Sequence, residues 1–242
     1  MLFSINELVR RWGISPQSVL HIGAHLAEES NLYQSVGWNK VTWIEANPAL
    51  IIDIQKKVEP LGQNVIEAAL WHTTGEKLSL KVASNGQSSS LLEFNYHSAY
   101  YPQIVVEKEI VVLTQRLDSI LNEIDTPDFC NLDIQGAELA ALNGFGKILN
   151  HINVIYTEVN KIELYTGCAM IKDIDKFLGE VGFRRVATRW VIGFGWGDAL
   201  YMRQTPGLLR RINGLHWPIR FYLGQVRNLV FQIKVKRMKK LH

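Results

Sequence analysis

One stretch, SVLHIGAHLA at residues 18–27, constrains the fold of this chain more than any other. Residues 18–22 have the pattern of a short buried strand, and Gly23 follows it at once. A helical pattern is then predicted from about residue 26 to residue 36, ending at Gly37. A strand, a tight turn of small residues and a helix place backbone N–H groups beside a ligand at the carboxyl end of the strand. Such turns are common in α/β proteins, and Gly23 would let a ligand approach the backbone closely.

Glu45 is the second feature that indicates a ligand site at the strand ends. Residues 41–44 form another buried-strand pattern, and that strand ends in Glu45. Nucleoside-binding folds place a carboxylate about 20 residues beyond the glycine turn, where it meets the ribose hydroxyls. A carboxylate accepts hydrogen bonds from both hydroxyls and so fixes the nucleoside in one orientation. The alternative is a solvated acid at a strand end, but the glycine turn upstream favours the ribose interpretation.

The alternation of strand and helix patterns along the rest of the chain predicts an α/β protein with a mostly parallel sheet. Further strands are predicted at residues 64–70, 129–133, 154–159, 183–188 and 198–203, and helices at 4–12, 48–58, 137–142 and 171–181. An insertion at residues 76–112 is expected to present a substrate-facing loop. A glycine–aromatic loop at residues 191–197 is expected near the mouth of the site.

An ordered set of short motifs resembles the FkbM family, the class I, Rossmann-like methyltransferases that use S-adenosylmethionine. The motifs are HIGAH at 21–25, EANP at 45–48, NVIEAAL at 64–70, SSS at 88–90, RLD at 116–118 and NLDIQGAE at 131–138. The resemblance covers about residues 19–203. It implies a doubly wound, mostly parallel seven-stranded sheet with a final antiparallel strand, in a methyltransferase domain at residues 1–205. Many members are sugar or polyketide O-methyltransferases. The chain departs from the family pattern at His21, His25, Ala27, Asn131 and Gln135.

The resemblance also implies the cofactor, S-adenosylmethionine, and the residues that bind it. Small residues after the third strand leave room for the adenine. The implied cofactor-binding residues are His21, Gly23, Ala24, His25, Glu45, Ala46, Asn47, Ala68, Ala69 and Asp133.

Methyl transfer to a hydroxyl requires a general base, because a protonated sugar hydroxyl is a poor nucleophile. The candidate bases are Asp133, Glu138, Glu158, His25 and His97. Asp133 is the first choice, since it ends a central strand and so faces the cleft of an open α/β sheet. Glu138 is alternatively an acid favoured at a helix N-terminus. Three such scattered acids do not specify a metal site, and no metal is expected.

Two other functions stay open at this point. An NAD-dependent oxidoreductase would use a similar fold, but the turn after Gly23 lacks the full Gly-x-Gly-x-x-Gly pattern. A non-catalytic binding protein that has lost the reaction is the second alternative. The departures at His21, Ala27 and Asn131 are the reason for keeping it.

Charge is distributed unevenly between the body of the chain and its carboxyl-terminal tail. Ten of the 26 lysines and arginines lie from Arg203 onward and no acid does, so the remainder holds 16 basic and 23 acidic residues. Residues 206–242 are predicted to form a basic amphipathic tail with apolar residues at helical spacing beside a stripe of Arg220, Arg227 and Lys234. Such a helix suits an anionic membrane surface, and equally suits packing on the body or on a second copy. The acidic body disfavours nucleic acid.

Cytoplasm, with possible peripheral contact at the inner face of a membrane through the tail, is the expected location. The first residues lack the apolar core of a signal peptide, and no uninterrupted apolar run is long enough to span a membrane. Cys130 and Cys168 are too few for a disulfide or metal framework. The expected acceptor is a sugar or glycan.

Overall fold

A seven-stranded sheet in the order β3-β2-β1-β7-β8-β10-β9 carries the fold. The computed structural model describes residues 1–122 and 126–204, of which Met1–Arg203 form one compact unit. The strands of this sheet are β1 Val19–Ile22, β2 Val41–Glu45, β3 Asn64–Glu67, β7 Phe129–Leu132, β8 Val154–Asn160, β9 Phe183–Trp190 and β10 Trp196–Arg203.

Strand direction confirms the predicted fold class. β3, β2, β1, β7 and β8 pair in parallel, and β10 runs antiparallel to both of its neighbours, β8 and β9. In this order β2 and β3 lie on one side of β1, whereas β7 and all later strands lie on its other side. The carboxyl ends of β1 and β7 therefore meet at the switch point of the sheet, which is where open α/β sheets bind ligands.

Helices cover both faces of this sheet. They are α1 Ile5–Trp12, α2 Ser30–Ser35, α3 Ile51–Val58, α4 Tyr96–Tyr100, α5 Leu117–Ile120, α6 Glu138–Asn143 and α7 Ile171–Glu180. Because successive strand residues face opposite sides, Val19 packs in the core formed with α1, α2 and α3. Leu20 packs in the other core, formed with α5, α6 and α7. The strands β1, β7 and β8 are buried along their whole length, as expected for a sheet covered on both faces.

The insertion between the third and fourth core strands forms a second, three-stranded sheet in the order β4-β6-β5. Its strands are β4 Ala69–Leu70, β5 Lys77–Ala83 and β6 Val106–Gln115. The continuous strand predicted at residues 64–70 is therefore wrong. The chain leaves the main sheet after Glu67, and Ala69 pairs instead with Thr114 in the smaller sheet.

The helix predicted at residues 26–36 is also shorter than expected, since α2 begins only at Ser30. His25 and Ala27 have φ angles of +46° and +49°. Those left-handed conformations are incompatible with a continuous right-handed helix. The segment between Gly23 and α2 is instead a turn.

Two expectations concern membranes and the tail. No helix within residues 1–122 and 126–204 is long and apolar enough to cross a membrane. The tail predicted at residues 206–242 lies outside the described residues.

Candidate active site

The glycine turn after β1 brings two strand ends into direct contact. Gly23 has a φ angle of +86°, and a Cβ atom there would lie 1.8 Å from the backbone oxygen of Asp133, at the end of β7. The backbone N–H groups of Gly23 and Ala24 both donate to the oxygen of Ile44, at 3.0 Å. The turn is thus pinned between β2 and β7, and its glycine has room for no side chain.

Glu45 holds this turn through its carboxylate. Its Oε2 atom accepts a hydrogen bond from the backbone N–H of His25 at 2.8 Å, and its Oε1 atom accepts one from that of Asn47, also at 2.8 Å. Burial raises the pKa of Glu45 despite these bonds. Two backbone donors therefore fix the direction of the carboxylate, and one of them explains the left-handed conformation at His25.

A first cavity lies between the ends of β1, β2 and β7. Glu45 stands at its wall, with apolar side chains beside it and the serines 89 and 90 opposite. The apolar lining comprises Ile22, Ile44, Ala46, Ala68, Leu70, Leu80, Leu91 and Ile134. An apolar slot bounded by one carboxylate and two hydroxyls suits a flat base joined to a polar sugar.

A second cavity, of about 370 Å³, adjoins the first. Five acidic residues line it, and Asp133, Glu158 and Asp198 are the three that come from the ends of β7, β8 and β10. Aromatic residues also line it, namely His97, Tyr101, Tyr165 and Trp196. Its size is in the range of small-molecule sites, and it combines an aromatic wall with a few convergent polar groups.

Five residues line both cavities, so the two spaces meet along them. They are Gly23, His25, Gln87, Asp133 and Gln135. Among these, Asp133 is the residue that carries a carboxylate. A donor in the first cavity and an acceptor in the second would therefore meet beside Asp133.

A family model described as the Methyltransferase FkbM domain matches residues 21–185, more than half of the chain. The chain belongs to the FkbM methyltransferase family. Its cofactor is S-adenosylmethionine, and its reaction is methyl transfer. A search of curated proteins gives no match.

Three solved structures are similar to this FkbM protein, each at low sequence identity. A magnesium protoporphyrin IX methyltransferase from Synechocystis PCC 6803, solved with bound S-adenosylmethionine, is 13% identical with a TM-score of 0.49, and the match covers 82% of this chain and 76% of that one. A protein of the NADB-Rossmann superfamily from Streptococcus agalactiae is 15% identical with a TM-score of 0.47, covering 79% and 64%. A ribosomal protein methylase from Lactobacillus delbrueckii subsp. bulgaricus is 11% identical with a TM-score of 0.46, covering 81% and 75%.

The residues of the FkbM domain around the first cavity fit S-adenosylmethionine. Gly23 lines this cavity and presents no side chain to it. The fixed carboxylate of Glu45 keeps acceptor capacity for ribose hydroxyls, since each carboxylate oxygen has two lone pairs. Ala46 and Ala68 are small residues in the apolar lining of this cavity.

Two of the predicted cofactor residues line neither cavity. Ala69 is buried on β4, and Asn47 is buried with its Oδ1 atom accepting from the N–H of Ala49. His21 and Ala24 line the second cavity, and His25 lines both.

Asp133, Glu158 and Asp198 form the acidic wall of the second cavity. Gln135 connects two of these carboxylates. Its Nε2 atom donates to Asp133 Oδ1 at 2.7 Å and to Glu158 Oε2 at 3.0 Å. Its Oε1 atom accepts from the hydroxyl of Tyr165 at 2.5 Å, and its backbone oxygen accepts from Ser90 Oγ at 2.7 Å. Gln135 itself has a φ angle of +55°, a conformation that costs a non-glycine residue free energy. One strained residue thus joins Ser90 of the first cavity to the carboxylates of the second.

Glu138, a predicted base, lies behind this wall. It is 1% exposed and lines neither cavity. Its Oε1 atom accepts from the N–H groups of Ile134 and Gly136, at 3.1 and 3.0 Å. Burial, followed by repulsion from Asp133, raises its pKa to about 7. This geometry closes the turn between β7 and α6.

Glu158 and Asp198 stand side by side on β8 and β10, as partners in the antiparallel register. Each is 4% exposed, and burial raises the pKa of both carboxyls. Repulsion from Asp133 adds to the rise at Glu158. Asp198 was not among the predicted site residues, because only the register of the final hairpin brings it beside Glu158.

The three histidines of the site differ in their surroundings. His97 packs against Phe94 and Tyr101, with ring centroids 4.5 and 5.2 Å away, and burial lowers its pKa. His21 stacks on Trp43 at 4.5 Å, and burial lowers its pKa to about 3. His21 and His97 are therefore neutral at pH 7. The Nδ1 atom of His25 lies 2.6 Å from a carboxylate oxygen of Glu28.

The described residues were also compared with the donor sets that bind metal ions. The part of the chain that the structure describes contains no group of three or more histidine, cysteine, aspartate or glutamate residues arranged to hold a metal ion.

Proposed function

We propose that this FkbM protein is an O-methyltransferase that acts on a hydroxyl of a sugar or glycan. The proposal rests on the position of Asp133, which lines both cavities. A base is needed where the methyl donor and the acceptor hydroxyl meet, and Asp133 is the carboxylate at that junction.

The cofactor would lie in the first cavity, with its ribose hydroxyls on Glu45 and its base between Ala46 and Ala68. Its methionine part would extend past Gly23 towards the second cavity. When bound, S-adenosylmethionine supplies an electrophilic methyl group. The remaining task of the protein is to orient the acceptor and remove its proton.

Asp133 would accept the hydroxyl proton as the new oxygen–carbon bond forms. The amide of Gln135 donates to Asp133 Oδ1, which leaves Oδ2 to face the acceptor. The aromatic side of the second cavity would pack against the C–H face of a sugar ring, as Trp196 and Tyr101 are joined there by a 3.0 Å hydrogen bond from Trp196 Nε1 to the tyrosine hydroxyl.

Mass spectrometry of a cell extract tests this proposal. The protein is incubated with extract and S-adenosylmethionine carrying an isotopically labelled methyl group, and the labelled products are fragmented. The label is expected on a sugar oxygen. Asp133→Asn is the matched control that retains the shape of the side chain. Label on a protein or nucleic acid would contradict the proposal, and so would cofactor binding without any labelled product, which is the outcome for a non-catalytic binding protein.

The basic tail adds a proposal about location, made from sequence alone. Arg220, Arg227 and Lys234 beside an apolar stripe suit peripheral contact with an anionic membrane or self-association. In the membrane case the acceptor would be a lipid-linked glycan or a glycolipid sugar. A cytoplasmic location stays part of the same proposal.

A further inference from the structure

The second cavity has a strongly one-sided charge. Asp133, Glu158 and Asp198 come from three neighbouring strands, β7, β8 and β10, and Glu28 and Glu29 lie at the same cavity. Among the described residues, no lysine or arginine lines it. Carboxylates concentrated in a low-dielectric cleft repel anions and attract cations.

The protein groups that contact these carboxylates only partly offset this charge. Neutral donors reach them: Gln135 donates to Asp133 and Glu158, and the Tyr156 hydroxyl donates to Asp198. The amino group of Met1 is near enough to lower the pKa of Asp198, although burial raises it more. These bonds use Asp133 Oδ1, Glu158 Oε2 and Asp198 Oδ2, so the second oxygen of each carboxylate can accept from a ligand.

The aromatic residues that line the same cavity are a second feature that favours a cation. Tyr101, Tyr165 and Trp196 line the cavity together with His97, whose ring is neutral at pH 7. The face of an aromatic ring attracts a cation through its quadrupole, and does so best where water is excluded. Aromatic faces combined with carboxylates form the chemical environment that recognises an ammonium group.

We infer that the acceptor is an amino sugar with a free ammonium group close to the hydroxyl that is methylated. This inference rests on the proposed O-methyl transfer and narrows its substrate class. The ammonium would sit among Asp133, Glu158 and Asp198, with the sugar ring against Trp196 and Tyr101. A phosphate or carboxylate near the same hydroxyl would meet the half-buried Asp133 and the buried Glu158 and Asp198, so an acceptor with an anion at that position is excluded.

A matched series of oligosaccharides tests the inference on the full chain. Chitosan oligosaccharides carry the free amine, chitin oligosaccharides carry an uncharged acetamide at the same carbon, and oligogalacturonides carry a carboxylate. The expected kcat/KM with S-adenosylmethionine is at least about tenfold higher for chitosan than for chitin oligosaccharides, since a charged hydrogen bond to protein is worth a tenfold change or more. No turnover is expected for oligogalacturonides.

Variants then test whether the preference for amine over acetamide depends on the carboxylates of the second cavity. Asp198→Asn is expected to reduce the preference for amine over acetamide about tenfold, while Asp53→Asn, an exposed acid on α3, leaves it unchanged. If Asp198→Asn fails to fold, Glu158→Gln serves the same purpose.

Each outcome bears on the inference separately from the proposed function. Equal turnover of amine and acetamide, or preference for the carboxylate, overturns the inference while O-methyl transfer stands. If none of the three oligosaccharides is methylated, the inference is tested by their affinities for the protein saturated with S-adenosylhomocysteine. Tighter binding of chitosan oligosaccharides supports the inference, and its absence overturns it. Methyl label on the amine nitrogen would overturn O-methyl transfer itself.

Discussion

The side-chain amide of Gln135 lies 2.7 Å from Asp133 Oδ1 and donates to it, and the same Nε2 atom donates to Glu158 at 3.0 Å. A single neutral amide therefore holds a half-buried and a buried carboxylate in fixed positions. Glu138 stands behind them and Asp198 beside them, so any further negative charge here would add to an existing repulsion.

Gln135→Glu tests how this arrangement sets the pH dependence of the reaction. The new carboxylate would face Asp133, Glu158 and the hydroxyl of Tyr165, and would remove the donor that now stabilises the charged forms. Burial already raises the pKa of Glu158, and the added negative charge beside it should raise that pKa further, so the site needs a higher pH to reach its active charge state. The acidic limb of the kcat/KM profile is expected to move up by about one pH unit. Gln34→Glu, an exposed change on α2, should leave the limb in place, and an unmoved limb in Gln135→Glu would contradict this role.

Glu138 is expected to make the free energy of unfolding depend on pH. Its pKa is raised from 4.5 to about 7 in the folded protein, so between these values the folded state binds more protons than the unfolded state. The free energy of unfolding should therefore fall as the pH rises through this window, by up to about 1.4 kcal/mol per pH unit from this group. Glu138→Gln keeps the acceptor oxygen and should flatten that slope in urea unfolding. The exposed Glu59→Gln should retain it. An equal slope in Glu138→Gln and the wild type would rule out Glu138 as its source.

Gly23→Ala and Gly37→Ala form a matched pair of glycine substitutions. Both glycines have left-handed φ angles, +86° and +83°, so alanine costs each about 1–2 kcal/mol of backbone strain. A Cβ at Gly37 meets nothing within 4 Å, whereas one at Gly23 lies 1.8 Å from Asp133 O. Calorimetry should show lost cofactor binding in Gly23→Ala alone. Full binding by a folded Gly23→Ala protein would show that the turn does not border the cofactor.

Glu45→Ala should weaken S-adenosylmethionine binding by about 1.5–3 kcal/mol, the value of hydrogen bonds to a charged group. Glu67, the register partner of Glu45 on β3, is exposed and lines neither cavity, so Glu67→Ala is the control. Isothermal titration calorimetry measures both. Unchanged affinity in a folded Glu45→Ala protein would remove the ribose assignment.

The strands of the main sheet were predictable because each central strand is a run of apolar residues buried on both faces. The strand ends followed from this, and with them the positions of Gly23, Glu45 and Asp133. The predicted third strand was too long, because the chain leaves the main sheet after β3. This change of sheet depends on pairing between Ala69 and Thr114, which are far apart in the sequence.

The extent of α2 could not be predicted from its residues. The pattern from residue 26 is helical, but Glu45 captures the N–H of His25 and holds it in a left-handed conformation. Histidine and alanine give no local sign of such a conformation, unlike glycine. The cause lies in a carboxylate on another strand.

Asp198 and Tyr165 were missed for a related reason, whereas Tyr101 and Trp196 belong to the insertion and the glycine–aromatic loop that were expected near the site. Tyr101, Tyr165 and Trp196 come from three separate segments, and no spacing connects them. Asp198 reaches the site through its register with Glu158. The carboxylate that ends a parallel strand is visible in a sequence, whereas a wall assembled from loops and a final hairpin is visible only in the folded chain.

The turnover of Asp133→Asn, measured together with its affinity for S-adenosylmethionine, tests the account most directly. Asparagine keeps the shape of the side chain but cannot accept the proton of the acceptor hydroxyl. We expect a cofactor affinity close to that of the wild type and a kcat lower by roughly 100-fold or more. A variant that binds the cofactor and turns over at a nearly wild-type rate would contradict it.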